Sequence, residues 1–169
     1  MKKLEYTFID KSKWARGEWD SEPDKVQWPD PKTELPCLAV RNPHMGHWCG
    51  YVGVTEGHPF FGKQADDDDF AIDTALVSHG GITLTTFCVD DPARKEHGIC
   101  HMVEEGEDDR VWWLGFDCGH CDDLIPIVSS RLHIPGAKYR NLAYVKDICT
   151  VMAAQLATYT SHVERDTSD

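Results

Sequence analysis

Between His79 and Asp123 this 169-residue chain gathers thiols and imidazoles at spacings that can do chemistry. His97-Gly98-Ile99-Cys100-His101 precedes an acidic stretch, and Cys118-Gly119-His120-Cys121 follows it. His97-x2-Cys100 and Cys118-x2-Cys121 are separated by 17 residues, close to zinc-ribbon spacing, where two ligand pairs close a tetrahedral shell. A structural zinc there would pin a loop with little apolar content. The competing reading makes each cysteine a small buried hydrophobe.

A second constellation is His79, Asp117 and His120. Asp117 ends a strand among large apolar residues, where an unpaired carboxylate is costly to bury. Beside histidines it can bind a catalytic metal or orient a base, which suits a metal-dependent hydrolase. Otherwise it caps a turn through backbone amides, as Asp often does after a strand.

His79-Gly80-Gly81 sits just before a strand, and two glycines let backbone N–H groups converge on an anion. A plain turn is the simpler reading of the pair, and the anion reading depends on Trp113, Arg41 or the basic cluster lying beside it. Trp113 offers a face for a base, and Arg41 or the Lys138-Tyr139-Arg140 cluster offers cations for phosphate. With Asp117 and His120 reading polar edges, these residues form a candidate site for a nucleotide-like ligand. No GxSxG, Walker A, GxGxxG or HExxH pattern is present.

The elements that must position these residues read as an α+β domain. The pattern is a small, mainly antiparallel sheet, one long amphipathic C-terminal helix and extended loops. Strands are expected at Leu4 to Asp10, Cys37 to Arg41, Trp48 to Thr55, Ile82 to Phe87 and Arg110 to Cys118. In the last, alternation puts Trp112, Leu114, Phe116 and Cys118 on one face, and Val111, Trp113, Gly115 and Asp117 on the other. Over 139–161, from about Asn141 to Ser161, Leu142, Val145, Cys149, Met152, Leu156 and Tyr159 make one helical stripe. It lies on the sheet or forms a seam between copies of the chain. Residues 1–36, with Trp14, Trp19, Trp28 and four prolines, read as an irregular wrap pinned by aromatic anchors or as a contact surface for a protein partner. The chain is expected to be one domain, with the sheet core and site within 37–123.

Composition narrows the functions. A formal net charge of −12 argues against duplex nucleic acid, whose phosphates need Lys and Arg, yet leaves a small anionic ligand open. No apolar run is long enough for a membrane span, and the N-terminus lacks a signal-peptide core, so a cytoplasmic protein is expected. Seven cysteines without an export signal point to free thiols or a metal site rather than a disulfide framework. Eight acidic residues between 89 and 109 mark a surface excursion, and Asp66 to Asp69 an acidic loop tip.

Several segments together resemble a family of uncharacterised proteins from bacteriophages, prophages and proteobacterial genomes. They are Glu22-Pro23-Asp24-Lys25-Val26-Gln27-Trp28, Cys49-Gly50-Tyr51-Val52-Gly53-Val54, Gly57-His58-Pro59, His79-Gly80-Gly81-Ile82-Thr83 and Val111 through His120. Tyr139-Arg140 and Ala143-Tyr144-Val145 complete the likeness, which covers nearly the whole chain. The resemblance brings no established activity. The family often lacks a cysteine at position 121, so it implies Cys100, His101, Cys118 and His120 as the metal set, with zinc the expected ion. A phage setting implies an anti-defence protein that sequesters a cyclic-nucleotide immune signal. That binding protein, the hydrolase and the partner-binding accessory protein are the three functional expectations.

Overall fold

The computed structural model describes residues 1–65, 75–89, 97–106, 109–129, 132 and 134–166, with side chains to residue 159. The acidic tip Asp66 to Asp69 and the acidic residues Asp90, Asp91, Glu96, Glu107 and Asp108 lie outside the described residues. Six strands form one antiparallel sheet: β1 (Leu4–Tyr6), β2 (Lys25–Pro29), β3 (Pro36–Arg41), β4 (Trp48–Val54), β5 (Leu84–Thr86) and β6 (Trp112–Asp117). Their order is β1-β2-β3-β4-β6-β5. A short helix α1 (Pro126–Ser129) and the long helix α2 (Leu142–Asp166) complete the α+β fold. No helix among the described residues is long and apolar enough to cross a membrane.

The main core lies between the sheet and α2. Val145, Cys149, Met152, Ala153 and Leu156 pack on Val52, Leu114, Phe116 and Cys118. The helical stripe thus meets the chain's own sheet, and the alternation expected for β6 holds. Close approach depends on Gly50: a Cβ there would lie 2.4 Å from the Phe116 ring and 2.9 Å from Val145. On the opposite face Leu38, Val40, Tyr51, Val111 and Trp113 form a smaller core. A loop covers it. The buried Lys25 donates to Gly98 O at 2.8 Å, and the Gln27 amide donates to Met102 O (3.1 Å) and accepts from Met102 N (2.8 Å). A Cys88–Cys100 disulfide fastens the same loop.

Three expectations change here. Residues 11–36 are not wholly irregular, because they contain β2 and a 3-10 turn at Glu18–Asp20. The strand was hidden because Lys25 and Gln27 face the covering loop, so polar residues stand where apolar ones mark a buried face. The strands expected at 82–87 and at Leu4 to Asp10 shorten to Leu84–Thr86 and Leu4–Tyr6, at the two edges of the sheet. Tryptophans of the wrap are internal anchors: Trp19 and Trp28 are buried, and Trp14 packs on Gly46 and near Pro126.

The wrap is fixed by charge as well as by rings. Arg41, on β3, is 1% exposed and its guanidinium lies 4.2 Å from the Trp48 ring centre. It donates to Gly46 O, Tyr139 Oη, Glu22 Oε2 and Pro23 O, and its Nε stands 3.3 Å from Asp24 Oδ1. Asp24 also receives Lys11 at 2.7 Å and the Phe8 and Ile9 amides at 2.8 Å each. Glu22 accepts from Trp48 Nε1, Tyr139 Oη and the Leu142 amide. Burial opposes its charge, but these donors outweigh that and hold its carboxyl below the usual range. Arg41 is therefore not a phosphate contact. Every one of its N–H groups faces the interior, so that expectation is corrected.

Removing Arg41 takes the guanidinium from two carboxylates and leaves the rest of a buried ion-pair cluster undercompensated. Arg41→Ala should cost about 3–5 kcal/mol in chemical denaturation, the range for breaking a buried ion pair. A second expectation concerns pH. His58 Nδ1 accepts the Phe60 amide at 3.0 Å and Nε2 faces Leu156 O at 3.1 Å, so the ring must be neutral. Burial pushes its pKa below the ordinary 6.5, only partly offset by the Leu156 carbonyl. Below pH about 6.5 the unfolded chain binds a proton that the native chain refuses. Stability from this ring is complete above that pH and falls as pH drops through the lowered native value. Urea midpoints measured from neutrality to mildly acidic pH should decline, with a shallower slope in His58→Gln.

Candidate functional site

Ends of four elements meet at one edge of the fold. His47 precedes β4, His79 stands upstream of β5, His120 follows β6, and Tyr144 is in the first turn of α2. Antiparallel pairing requires this, because Cys49 pairs with Asp117 and Leu84 with Gly115. The turn after β6 is shaped by two carboxylates. Asp117 Oδ1 accepts the Gly119 amide at 2.9 Å, and Asp123 Oδ2 accepts the His120 amide at 3.1 Å.

Asp123 is the centre of the group and is 1% exposed. Its Oδ2 lies 2.8 Å from His79 Nε2 and 3.5 Å from His120 Nδ1, while Oδ1 accepts Arg140 Nε at 2.8 Å. His79 Nδ1 meets Tyr144 Oη at 2.8 Å, so both ring nitrogens are fixed. The His79 and His120 rings meet edge to face at 5.1 Å. His120 Nδ1 is buried without a hydrogen-bond partner. Burial works against the Asp123 charge, but Arg140, His79 and the His120 amide outweigh it and hold the carboxyl below its usual range. Burial also raises the Tyr144 phenol, so it stays protonated. His47, packed over Gly119, is held neutral mainly by burial, against the pull of Asp117 and Asp123.

Among the described residues, one group of His, Cys, Asp and Glu can hold a metal: His79, His120 and Asp123, with ligand atoms all within 4.8 Å of one another. Two of the sequence candidates, His79 and His120, are thus brought together. Asp117 is beside them but is the turn cap, and Asp123 takes the position expected of it. Trp113 is fully buried on the opposite face, against His101 at 5.6 Å, so no ligand can stack on it from solvent. The cysteine sets do not assemble. Cys100 is in the disulfide, His101 is on the Trp113 side, and Cys118 is buried in the main core. His97 stacks on Phe8 and Cys121 is exposed, so the zinc-ribbon pairs are apart as well.

Gly80 and Gly81 have φ of +72° and +98°. Gly80 also lies against His120: a Cβ on it would fall 2.3 Å from the ring Cε1. The glycine is the seat of an imidazole, whatever its amide does. Sequence reading missed Asp123, Tyr144 and His47 as site residues. His120-x2-Asp123 in a turn was the available signal for the first. Tyr144 and His47 carried none, because both join the site through tertiary contact.

Gly80→Ala should displace His120 and cost roughly 1–3 kcal/mol, the usual scale for a strained backbone position. Gly57→Ala is the control, with φ of +94° and nothing within 4 Å. Only the first should move the His120 ring resonances in a 1H–15N spectrum. Compared with protein-family models, curated proteins and solved structures, the chain matches none, so the site must be read from its own atoms.

Proposed function

We propose that this protein is a hydrolase built on a mononuclear metal centre, with His79, His120 and Asp123 as ligands and zinc as the best-suited ion. The carrying observation is the triad itself, two imidazoles and one carboxylate with ligand atoms within 4.8 Å, and a buried His120 Nδ1 that has no other partner. Three protein ligands are the hallmark of a catalytic zinc site, whose remaining position takes water or substrate, whereas structural sites close with four. The surroundings fit. Tyr144 holds the second nitrogen of His79, as outer partners of metal-bound histidines do, and Arg140 holds the second oxygen of Asp123. A metal there supplies a Lewis acid and a water acidic enough to attack at neutral pH.

The alternative of a sequestered nucleotide-like signal retains His79, His120 and the glycines. It must do without Trp113 and Arg41, both committed to the interior, so the metal centre is the better-supported reading.

Titration with Co2+ tests it. One equivalent should bind with a d–d spectrum and no thiolate charge-transfer band, since no cysteine is in the set. His120→Ala and Asp123→Asn should abolish that spectrum, and Tyr144→Phe should weaken binding about 10-fold. The metal-loaded chain should hydrolyse model esters and lose this activity in chelator. Absence of stoichiometric metal, or a thiolate band, would overturn the assignment.

A further inference from the structure

A half-enclosed apolar pocket of about 120 Å³ adjoins the site along the chain, lined by Leu124, Ile125, Val128, Leu132, Ile134 and Ala137. Its first wall, Leu124, is the residue after the ligand Asp123. Its last, Ala137, stands three residues before Arg140, which pairs with the same carboxylate. The loop between them is clamped at its base: Leu124 N donates to Lys138 O at 2.9 Å and Lys138 N to Asp122 O at 3.1 Å. The two ends of the pocket loop are therefore held together by backbone on either side of Asp123. Leu132 and Ile134 at its rim are 58% and 39% exposed, apolar surface left open to water. A cavity of about 150 Å³ lined by aliphatic side chains suffices for benzene, so this one suits a short alkyl chain or a single small ring. Where the loop returns, the exposed Lys138 follows the pocket wall Ala137 and places a cation there in a chain of net charge −12.

Resting on the hydrolase reading above, we infer that the substrate is a short-chain acyl ester or amide whose alkyl arm occupies this pocket. Water adds to the acyl carbon, the bond from that carbon to the leaving group breaks, and the proton from water leaves on that group. The carboxylic acid product keeps the alkyl arm and presents its charge to Lys138. The occupant is thus amphipathic, with an apolar tail and a head that gains negative charge, matching the pocket and the lysine beside it.

The test is an amide-resolved NMR titration of the full chain with sodium butanoate and, separately, sodium acetate, each with and without bound Zn2+. Butanoate should bind about tenfold more tightly, from its two extra buried methylenes, and shift the Leu124, Val128 and Ala137 amides. Val128→Phe, which fills the pocket, should erase that preference while keeping the metal; Ala137→Leu serves if the first variant does not fold. In parallel, 4-nitrophenyl butanoate should exceed 4-nitrophenyl acetate in kcat/KM, and the variant should level the two. Equal affinity for the two acids in the metal-loaded chain would overturn the subsite and leave the metal centre standing. A butanoate preference in a chain that binds no metal would uphold the subsite and overturn the hydrolase. A dimer that Val128→Phe disperses, seen by light scattering, would assign the pocket to a second copy and overturn the inference.

Discussion

Arg41 is the constraint on which the rest of the architecture hangs. A guanidinium offers five N–H donors in a plane. Here Gly46, Tyr139, Glu22 and Pro23 take four bonds from the two terminal nitrogens, and Nε stands as an ion pair 3.3 Å from Asp24. Lysine, with a compact tetrahedral head, has no equivalent geometry. Buried ion pairs add little net stability, but a partner lost from one leaves a charge in a poor solvent. What such a cluster chiefly does here is exclude alternatives. Only one placement of the N-terminal wrap brings Glu22 and Asp24 to the same arginine.

The consequence reaches the site through Glu22. Its carboxylate takes Tyr139 Oη and the amide of Leu142, the first residue of α2. A carboxylate at that helix start also complements the helix dipole, with Asn141 capping the Tyr144 amide at 3.0 Å. Arg140 lies between those two fixed residues, and Tyr144 is one turn on. Wrap, helix start and the Asp123–His79 pair are thus consecutive links, although the sequence spreads them from residue 22 to residue 144. The histidines occupy strand ends because ladder hydrogen bonds stop there, and side chains rather than strand neighbours must satisfy the freed backbone. The Asp123–His120 amide bond is one such substitution.

This division explains what the sequence made legible. Periodicity sees faces, so the β6 alternation and the α2 stripe carried directly into the core. The α+β class followed from them. Periodicity cannot see a face covered by a loop, and β2, polar yet buried beneath residues 98–102, passed for irregular chain. Residue type misled where it is ambiguous. Arg41 and Trp113 have the chemistry of a phosphate and a base contact, but an arginine at the end of an interior strand and an indole within the second core are equally interior groups. Cys100 went to a disulfide with Cys88, a pairing that spacing alone could not separate from a metal role. In the candidate site, His79 and His120 were found. Asp117 was taken for Asp123 because the turn's hydrogen bonds, not its composition, decide which carboxylate turns toward the imidazoles.

The long-range field bears on what such a site admits. A chain of net charge −12 concentrates cations around it and repels polyanions. The Arg140 guanidinium at the site is already engaged, with Nε on Asp123 and Nη2 at 3.6 Å from Asp122. Its charge is largely balanced locally, so little remains to draw in a di- or triphosphate against the field. A divalent cation entering between two imidazoles and a carboxylate of a chain this acidic meets attraction at long range and donors at short range. A ligand with at most one negative charge and an apolar portion meets the least repulsion, and has apolar surface beside Asp123 on which to settle. Charge, donor set and pocket therefore favour a metal and a small amphipathic partner over a nucleotide.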